Sequence, residues 1–335
     1  MDGKTNEITI YDIAESAGVS VATVSRVINN NPQVNKKTRA KVLKVLQEKN
    51  YVPNMNARSL AIQSSKIIGI LIADMRTAQH TEGVYYVEHE FSKKGYSCLI
   101  YNTSSDPDQQ VQYIQLLSQR KIDAVVMMGS IYQNEKIKAA IDTYIPSIPV
   151  AMCNGYIQGD NIYGVVSDEK NGVSDCVKLL ADKGRQHIAF IYNYKTPSNL
   201  EKIRGFEEGI AKYNQHGTKL LVQTDNSGDA VSETVEKVMK EHPETDGIIF
   251  SEDYLALIGM NRLCTSGHSV PKDVSVIGIN NSKYSMYTIP PLTTLDNMLY
   301  DSTLISVRSI LQVLAGEHTT KKLMLSCNIV ERSST

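Results

Sequence analysis

Thr9-Ile-Tyr-Asp-Ile-Ala-Glu-Ser-Ala-Gly-Val-Ser-Val-Ala-Thr-Val-Ser-Arg-Val-Ile-Asn29 is the stretch on which the reading of this chain turns. Ile10, Ile13, Ala14 and Ala17 fall at helical spacing and make one apolar face. Gly18 follows where the helix must stop on a positive φ, which glycine adopts at little cost. Ser20 is placed to cap a second helix, whose Val24 and Val27 lie three apart and pack back on the first. Two short helices joined by a tight glycine turn predict a helix-turn-helix, whose second helix enters the DNA major groove. Taken alone the pattern also fits an ordinary helical hairpin in a core; what flanks it favours DNA.

Charge supplies the first flank. Up to Ser65, nine basic residues face five acidic ones, leaving a head at +4; the remaining 26 basic and 31 acidic residues leave a body at −5. A basic module on an acidic body is the footprint of a nucleic-acid binder attached to something else. The 335 residues suffice for two or three domains with a sizeable core. No apolar run of membrane-spanning length occurs, and Met1–Glu7 lacks the basic-then-apolar pattern of a secretory signal. Cys98, Cys153, Cys176, Cys264 and Cys327 are scattered and odd in number, which points to reduced thiols in a cytoplasm rather than to zinc or disulfides.

Beyond the second helix, Asn29-Asn-Asn-Pro32 reads as a loop, because Pro32 cannot continue a helix. Asn35 is placed to cap a third helix through about Asn50, with Val42, Val45 and Leu46 on its inner face. Lys36, Lys37 and Arg39 fall in its first turn, where the helix dipole disfavours cations. A phosphate backbone close by accounts for them; so does a solvated face.

Thr9-Ile-Tyr-Asp-Ile-Ala14, Gly18-Val-Ser20, Thr23-Val-Ser-Arg-Val27 and Tyr51-Val-Pro-Asn-Met-Asn-Ala-Arg-Ser-Leu60 together resemble the head of the lactose-repressor family of bacterial transcription regulators. The resemblance implies that Val21, Ala22 and Arg26 face base edges, while Thr9, Ser20, Thr23, Ser25 and Asn29 hold phosphates or the groove wall. Arg26 alone among the base-facing three carries a fork able to bond guanine O6 and N7 together; Val21 and Ala22 offer only methyl groups. Residues 53–65 resemble the family's hinge helix and linker, with Asn54, Ala57 and Leu60 at minor-groove positions and Leu60 as the wedge between base steps. A plain linker with a buried leucine is the other reading. The domain plan is thus 1–52 for the helix-turn-helix, 53–65 for the hinge, and 66–335 for an effector-binding and dimerisation domain.

From Ile67 the chain alternates short apolar runs with amphipathic segments. Ile67–Ala73, Ser97–Tyr101, Ala124–Met128, Pro149–Met152, Gly164–Val166, His187–Tyr192, Gly247–Phe250 and Val274–Ile279 read as fully buried strands. Strands alternating with helices imply an α/β body of parallel sheets covered on both faces, binding ligands at the carboxyl ends of the strands. Leu179–Ile191, Arg204–Gly209, Val270–Gly278 and Pro290–Thr294 match landmarks of the same family, which implies a two-lobed, periplasmic-binding-protein-like fold. By that comparison lobe one is about 66–165 and 294–320, and lobe two about 166–290 and 321–335. The absence of a leucine-repeat tail before Thr335 points to a dimer.

For the effector cleft the resemblance singles out Asp74, Arg76, His80, Lys202, Glu252, Asp253 and Asn280. This chain departs there from the sugar-binding members: Lys202 replaces an arginine, Glu252 an asparagine and Asn280 an acidic residue. A lysine lacks the bidentate fork, and an asparagine lacks charge-assisted acceptance of hydroxyls. Arg76, His80 and Lys202 suit an anionic ligand, or are solvated loop residues. The expected function is therefore a cytoplasmic, homodimeric transcription regulator, a repressor of a near-palindromic double-stranded operator controlled by a small-molecule effector. A catabolite-control type using a phosphorylated carrier protein is the alternative; a solute-binding protein of transport would need a signal peptide and no basic head. No cofactor or metal is expected. The chain carries no glycine-rich dinucleotide motif, P-loop, nucleophile elbow or metal-spaced histidines, so no enzyme is expected either.

Overall fold

The computed structural model describes residues 8–28, 31–51 and 64–335, which form two compact units divided between Ser65 and Lys66. In the first unit three helices, α1 (Ile10–Ala17), α2 (Val21–Ile28) and α3 (Lys36–Glu48), close around Ile13, Ala14, Ala17, Val24, Val27 and Val42. Both expected N-caps, Ser20 and Asn35, form, and Thr9 adds a third. Thr9 and Asp12 make a reciprocal capping box on α1, Ser20 Oγ accepts from Thr23 N at 3.2 Å, and Asn35 Oδ1 accepts from Thr38 N at 2.9 Å. Gly18 takes φ +58°, ending α1 in the left-handed region. The third helix stops two residues short of the expected Asn50, with Lys49 as its cap.

The second unit holds two six-stranded sheets. The first contains β1 (Ile67–Ile72), β2 (Ser97–Asn102), β3 (Ala124–Met128), β4 (Val150–Cys153) and β5 (Ile162–Ser167), in the order β2-β1-β3-β4-β5. The second contains β6 (His187–Tyr192), β7 (Thr218–Gln223), β8 (Gly247–Phe250), β9 (Ser275–Ile279) and β10 (Thr293–Asp296), in the matching order β7-β6-β8-β9-β10. Beside β5 lies β11 (Lys322–Leu325), parallel to it; beside β10 lies β12 (Asn328–Val330), the one antiparallel strand among those described.

Strand periodicity divides each core in two. Ile68, Ile70 and Ile72 point to the side covered by helices 78–92 and 299–314, while Leu71 points to the side covered by helices 107–118 and 135–144. In the second lobe Ile188, Phe190 and Tyr192 meet helices 169–182 and 197–213, and Ala189 and Ile191 meet helices 228–241 and 253–265. Burial on both faces explains why the inner strands read as unbroken apolar runs. The run Ser97–Tyr101 is the exception: β2 is an edge strand with Ser97, Ile100 and Asn102 exposed, not a fully buried one. The second edge, β7, was not expected, because its Thr218 and Lys219 are exposed and only Leu220–Val222 are half-buried.

The lobe boundaries also differ from expectation. Thr293–Asp296 pairs with β9 and so belongs to lobe two, while Lys322–Leu325 pairs with β5 and belongs to lobe one. The chain therefore crosses after β5, after β10 and after β11, and the helix 299–314 packs on β4 and β5. Sheet hydrogen bonds, which sequence landmarks do not report, set these crossings.

Helices 169–182 and 197–213 approach closely at Gly205, where an added Cβ would lie 2.1 Å from the carbonyl oxygen of Lys170. Alanine there gains up to about 1 kcal/mol of helix propensity. Against that, it must push two backbones apart, at about 1–3 kcal/mol for an overpacked core. Gly205→Ala is expected to lower the denaturation midpoint of the body in urea, and an unchanged midpoint would refute the close packing described.

Candidate nucleic-acid interface and ligand cleft

Helix α2 presents one face to the head's core through Val24 and Val27 and the other outward. Ala22 and Arg26 are exposed on that outer face, with Val21, Thr23 and Ser25 half-buried beside them. The hydroxyls of Ser20 and Thr23 bond each other at 2.9 Å, as Ser20 also caps the helix. Thr9 is engaged in the α1 cap, and its hydrogen bonds hold the Asp12 carboxyl below the usual carboxylate range. Both threonines and Ser20 thus do local structural work at the surface where phosphate contacts are expected. Among the three cations of α3's first turn, Lys36 and Lys37 are exposed, whereas the Arg39 guanidinium donates to the carbonyl oxygen of Asn31 and braces the α2–α3 loop. Asn29, Asn54, Ala57 and Leu60 lie outside the described residues.

In the body, helices leave β1 and β3 towards opposite faces of the sheet, and those following β6 and β8 do the same. Diverging loops at such a reversal open a crevice at the carboxyl ends of the strands. A cleft of about 590 Å³ lies there between the lobes, continuous through Asp74, Arg76, Tyr194, Asn226 and Glu252 with a second chamber of about 430 Å³. All seven expected cleft residues line one chamber or both. Their states differ widely.

Asp74, just past β1, is clamped by Arg76, whose Nε reaches Oδ1 at 3.0 Å and whose Nη2 reaches Oδ2 at 2.7 Å. These bonds hold the Asp74 carboxyl below its ordinary range and raise that of the exposed guanidinium. His80 Nδ1 lies 3.0 Å from the Asp74 carbonyl oxygen, which pins the start of helix 78–92. Lys202 is buried rather than displayed. Its Nζ lies 3.5 Å from Glu169 Oε1 and donates to Asn199 Oδ1 at 3.3 Å and to the Ser251 carbonyl oxygen at 3.2 Å. Lys202 is thus no solvated loop cation, whereas Arg76 stays exposed to solvent while paired with Asp74.

Asp253 is buried as well, accepting from Ser282 N at 2.6 Å and Thr294 Oγ1 at 2.5 Å, so it ties helix 253–265 to β10. Its neighbour Glu252 is half-buried and accepts from Asn193 Nδ2 at 3.0 Å. Asn280, at φ +108°, accepts from Asn297 Nδ2 at 3.0 Å across the β9–β10 ends. Ser130, Asn154, Asn193, Tyr194 and Asn226 also line the cleft and escaped the sequence reading. Each stands one to three residues past a strand end, and that position is the signal that would have found them.

Glu169 joins the lobes from behind. It accepts from Ser198 Oγ and from Asn154 Nδ2, the latter at 3.3 Å from the other lobe, and Ser198 N donates to Ser130 Oγ at 3.0 Å. Replacing Lys202 by methionine leaves the Glu169 charge buried alone, at an expected cost of about 3–5 kcal/mol. The double variant K202M/E169Q should recover most of that in urea denaturation; a double variant as unstable as K202M would show that the pair is not what matters. Burial pushes the Asp253 carboxyl up to about 6 from 3.8. Between those values the folded chain keeps a proton the unfolded chain has lost. Stability should therefore fall as pH rises through that window, by about 3 kcal/mol at most. Asp253→Asn should remove this part of the slope in denaturation curves taken across it.

The descriptor for bacterial regulatory proteins of the lacI family matches residues 9–54, and that for the periplasmic binding protein-like domain matches residues 177–335. An HTH-type transcriptional regulator of Lachnoclostridium phytofermentans is 33% identical over 332 residues, covering 98% of this chain and 99% of its own. The ribose operon repressor of Halalkalibacterium halodurans is 30% identical over 330 residues, covering 98% and 97%. The fold is that of the lac repressor dimer bound to operator and the anti-inducer ONPF, with a TM-score of 0.87 at 24% identity over 98% of this chain and 99% of that one. Among the described residues no helix is long and apolar enough to cross a membrane. Identity of this extent along nearly the whole of both chains, with the helical head and the two-sheet body in the same order, makes this protein a transcription regulator of the lacI family rather than an enzyme.

Proposed function

We propose that this regulator is a cytoplasmic repressor that binds a near-palindromic operator as a homodimer and is controlled by a small molecule in the interlobe cleft. The observation that carries the reading is α2: a helix anchored by Val24 and Val27 that turns Ala22 and Arg26 to solvent on a basic head. Arg26 supplies the polar base readout, and Lys36 and Lys37 add charge for the phosphates. Self-association is supported by Met286, Tyr287 and Ile289 of lobe two, an apolar stretch 60%, 75% and 90% exposed. Two heads on a two-fold axis call for a two-fold site. The cleft between two lobes joined by three crossings suits a ligand that shifts their relative placement and thereby the operator affinity.

The test is binding of the full chain to a duplex selected from a random pool, against a scrambled duplex of equal length. Arg26→Ala should lose about 1–3 kcal/mol of the discrimination between the two. Lys37→Ala should weaken both duplexes alike and flatten the salt dependence. Unchanged discrimination in R26A would overturn the assignment of base readout, and no enriched duplex from the pool would overturn specific repression.

A further inference from the structure

We infer that the ligand of the interlobe cleft carries a protonated amine beside its hydroxyls, as an amino sugar does; the inference rests on the cleft being the effector site. Two of the cations that line the cleft already have a carboxylate partner, one buried and one exposed. Lys202 is buried against Glu169, and Arg76 is held on both oxygens of Asp74. On the wall formed by lobe two, Glu252 and Asp225 stand past the ends of β8 and β7, and among the described residues neither forms an ion pair. Lys195 is the remaining cation of the lining, and it is exposed at the rim. With the two internal pairs cancelled, the chamber keeps more negative charge than positive.

Aromatic faces line the same chamber. Tyr194 is half-exposed among Asp225, Glu252 and Asp74; burial, then those three charges, keep its phenol protonated above the ordinary range. Tyr254 and Tyr284 close another side, their ring centres 5.9 Å apart. Carboxylates interleaved with tyrosine faces attract a cation both by charge and through the ring quadrupoles. Ser282, buried to more than nine-tenths, ties this wall of the chamber to Asp253 through its backbone N–H. Asn226 lines both chambers, its Oδ1 accepting from the buried Asn193 amide at 3.2 Å.

Charge then decides the ligand class. A phosphorylated sugar would set an anion against Glu252 and Asp225. A neutral hexose can give its hydroxyls to Glu252 and Asp225 but brings no positive charge to offset theirs when the lobes close. An ammonium group removes that penalty.

Calorimetric titration of the full chain tests this with glucosamine, galactosamine and mannosamine, their neutral N-acetyl forms, the parent hexoses and the hexose 6-phosphates. At least one amino sugar is expected to bind about tenfold or more tightly than its N-acetyl form and its parent, the worth of one charge-assisted contact. Glu252→Gln should abolish that advantage, bringing the affinity for the amino sugar to that of its N-acetyl form. Tighter binding of a neutral or phosphorylated sugar, or no amine binding at millimolar concentration, overturns the inference. Operator affinity measured with each bound ligand separates the two readings. A non-amine that binds and alters operator affinity sinks the amine and keeps the effector site. An amine that binds and leaves operator affinity unchanged keeps the charge assignment and sinks the effector role.

Discussion

The body depends on one constraint: a parallel strand carries apolar side chains on both faces and must be covered on both. Ile68, Ile70 and Ile72 can be buried only if helices lie on one side, and Leu71 only if others lie on the opposite side. The chain must therefore switch faces partway across each sheet. Where it switches, successive loops diverge and a crevice opens at the strand ends. The cleft is thus a consequence of core burial, and it holds Asp74, Ser130, Asn193, Tyr194 and Glu252 because those residues follow the strands that flank the switch. Repeating the arrangement in a second lobe turns two half-crevices towards each other.

Polar burial then sets what the cleft presents. An ion pair shielded from water stabilises little by itself, yet losing either partner is costly. Glu169 and Lys202 are such a pair, with Ser198 and Asn154 completing the carboxylate's hydrogen bonds and linking the two lobes at the back. Lys202, which the family resemblance offers as a ligand contact, is held by Glu169, Asn199 and the Ser251 carbonyl oxygen. Asp253 shows the same logic: its oxygens are used by Ser282 and Thr294, and it holds the cleft wall together. The neighbouring Glu252, one residue earlier and outside the helix, keeps its charge towards the opening.

The head is stabilised by capping as much as by its small core. Thr9 with Asp12, Ser20 with Thr23, and Asn35 with Thr38 each satisfy backbone donors at the start of a short helix that propensity alone would not hold. Those same polar residues lie on the surface near α2, so one set of hydroxyls both ends the helices and borders the face that carries Arg26.

Much of this was legible in the amino-acid order. Local rules determine caps, the glycine turn at Gly18 and the period-two apolar runs, and all act within a few residues, so Ile10–Ala17, Val21–Ile28 and the central strands could be read directly. The positions of candidate residues at strand ends followed from family likeness along the chain. What the tertiary structure alone decided was of longer range. Pairing of β10 with β9 and of β11 with β5 moved the lobe boundaries, because sheet hydrogen bonds join residues distant in sequence. The edge strand β7 carries too few apolar residues to announce itself, and the exposure of β2 follows from its place at the sheet's edge. Part of the charge of the cleft was hidden for the same reason: the partner of Lys202 is Glu169, which is brought to it by the packing of two helices at Gly205.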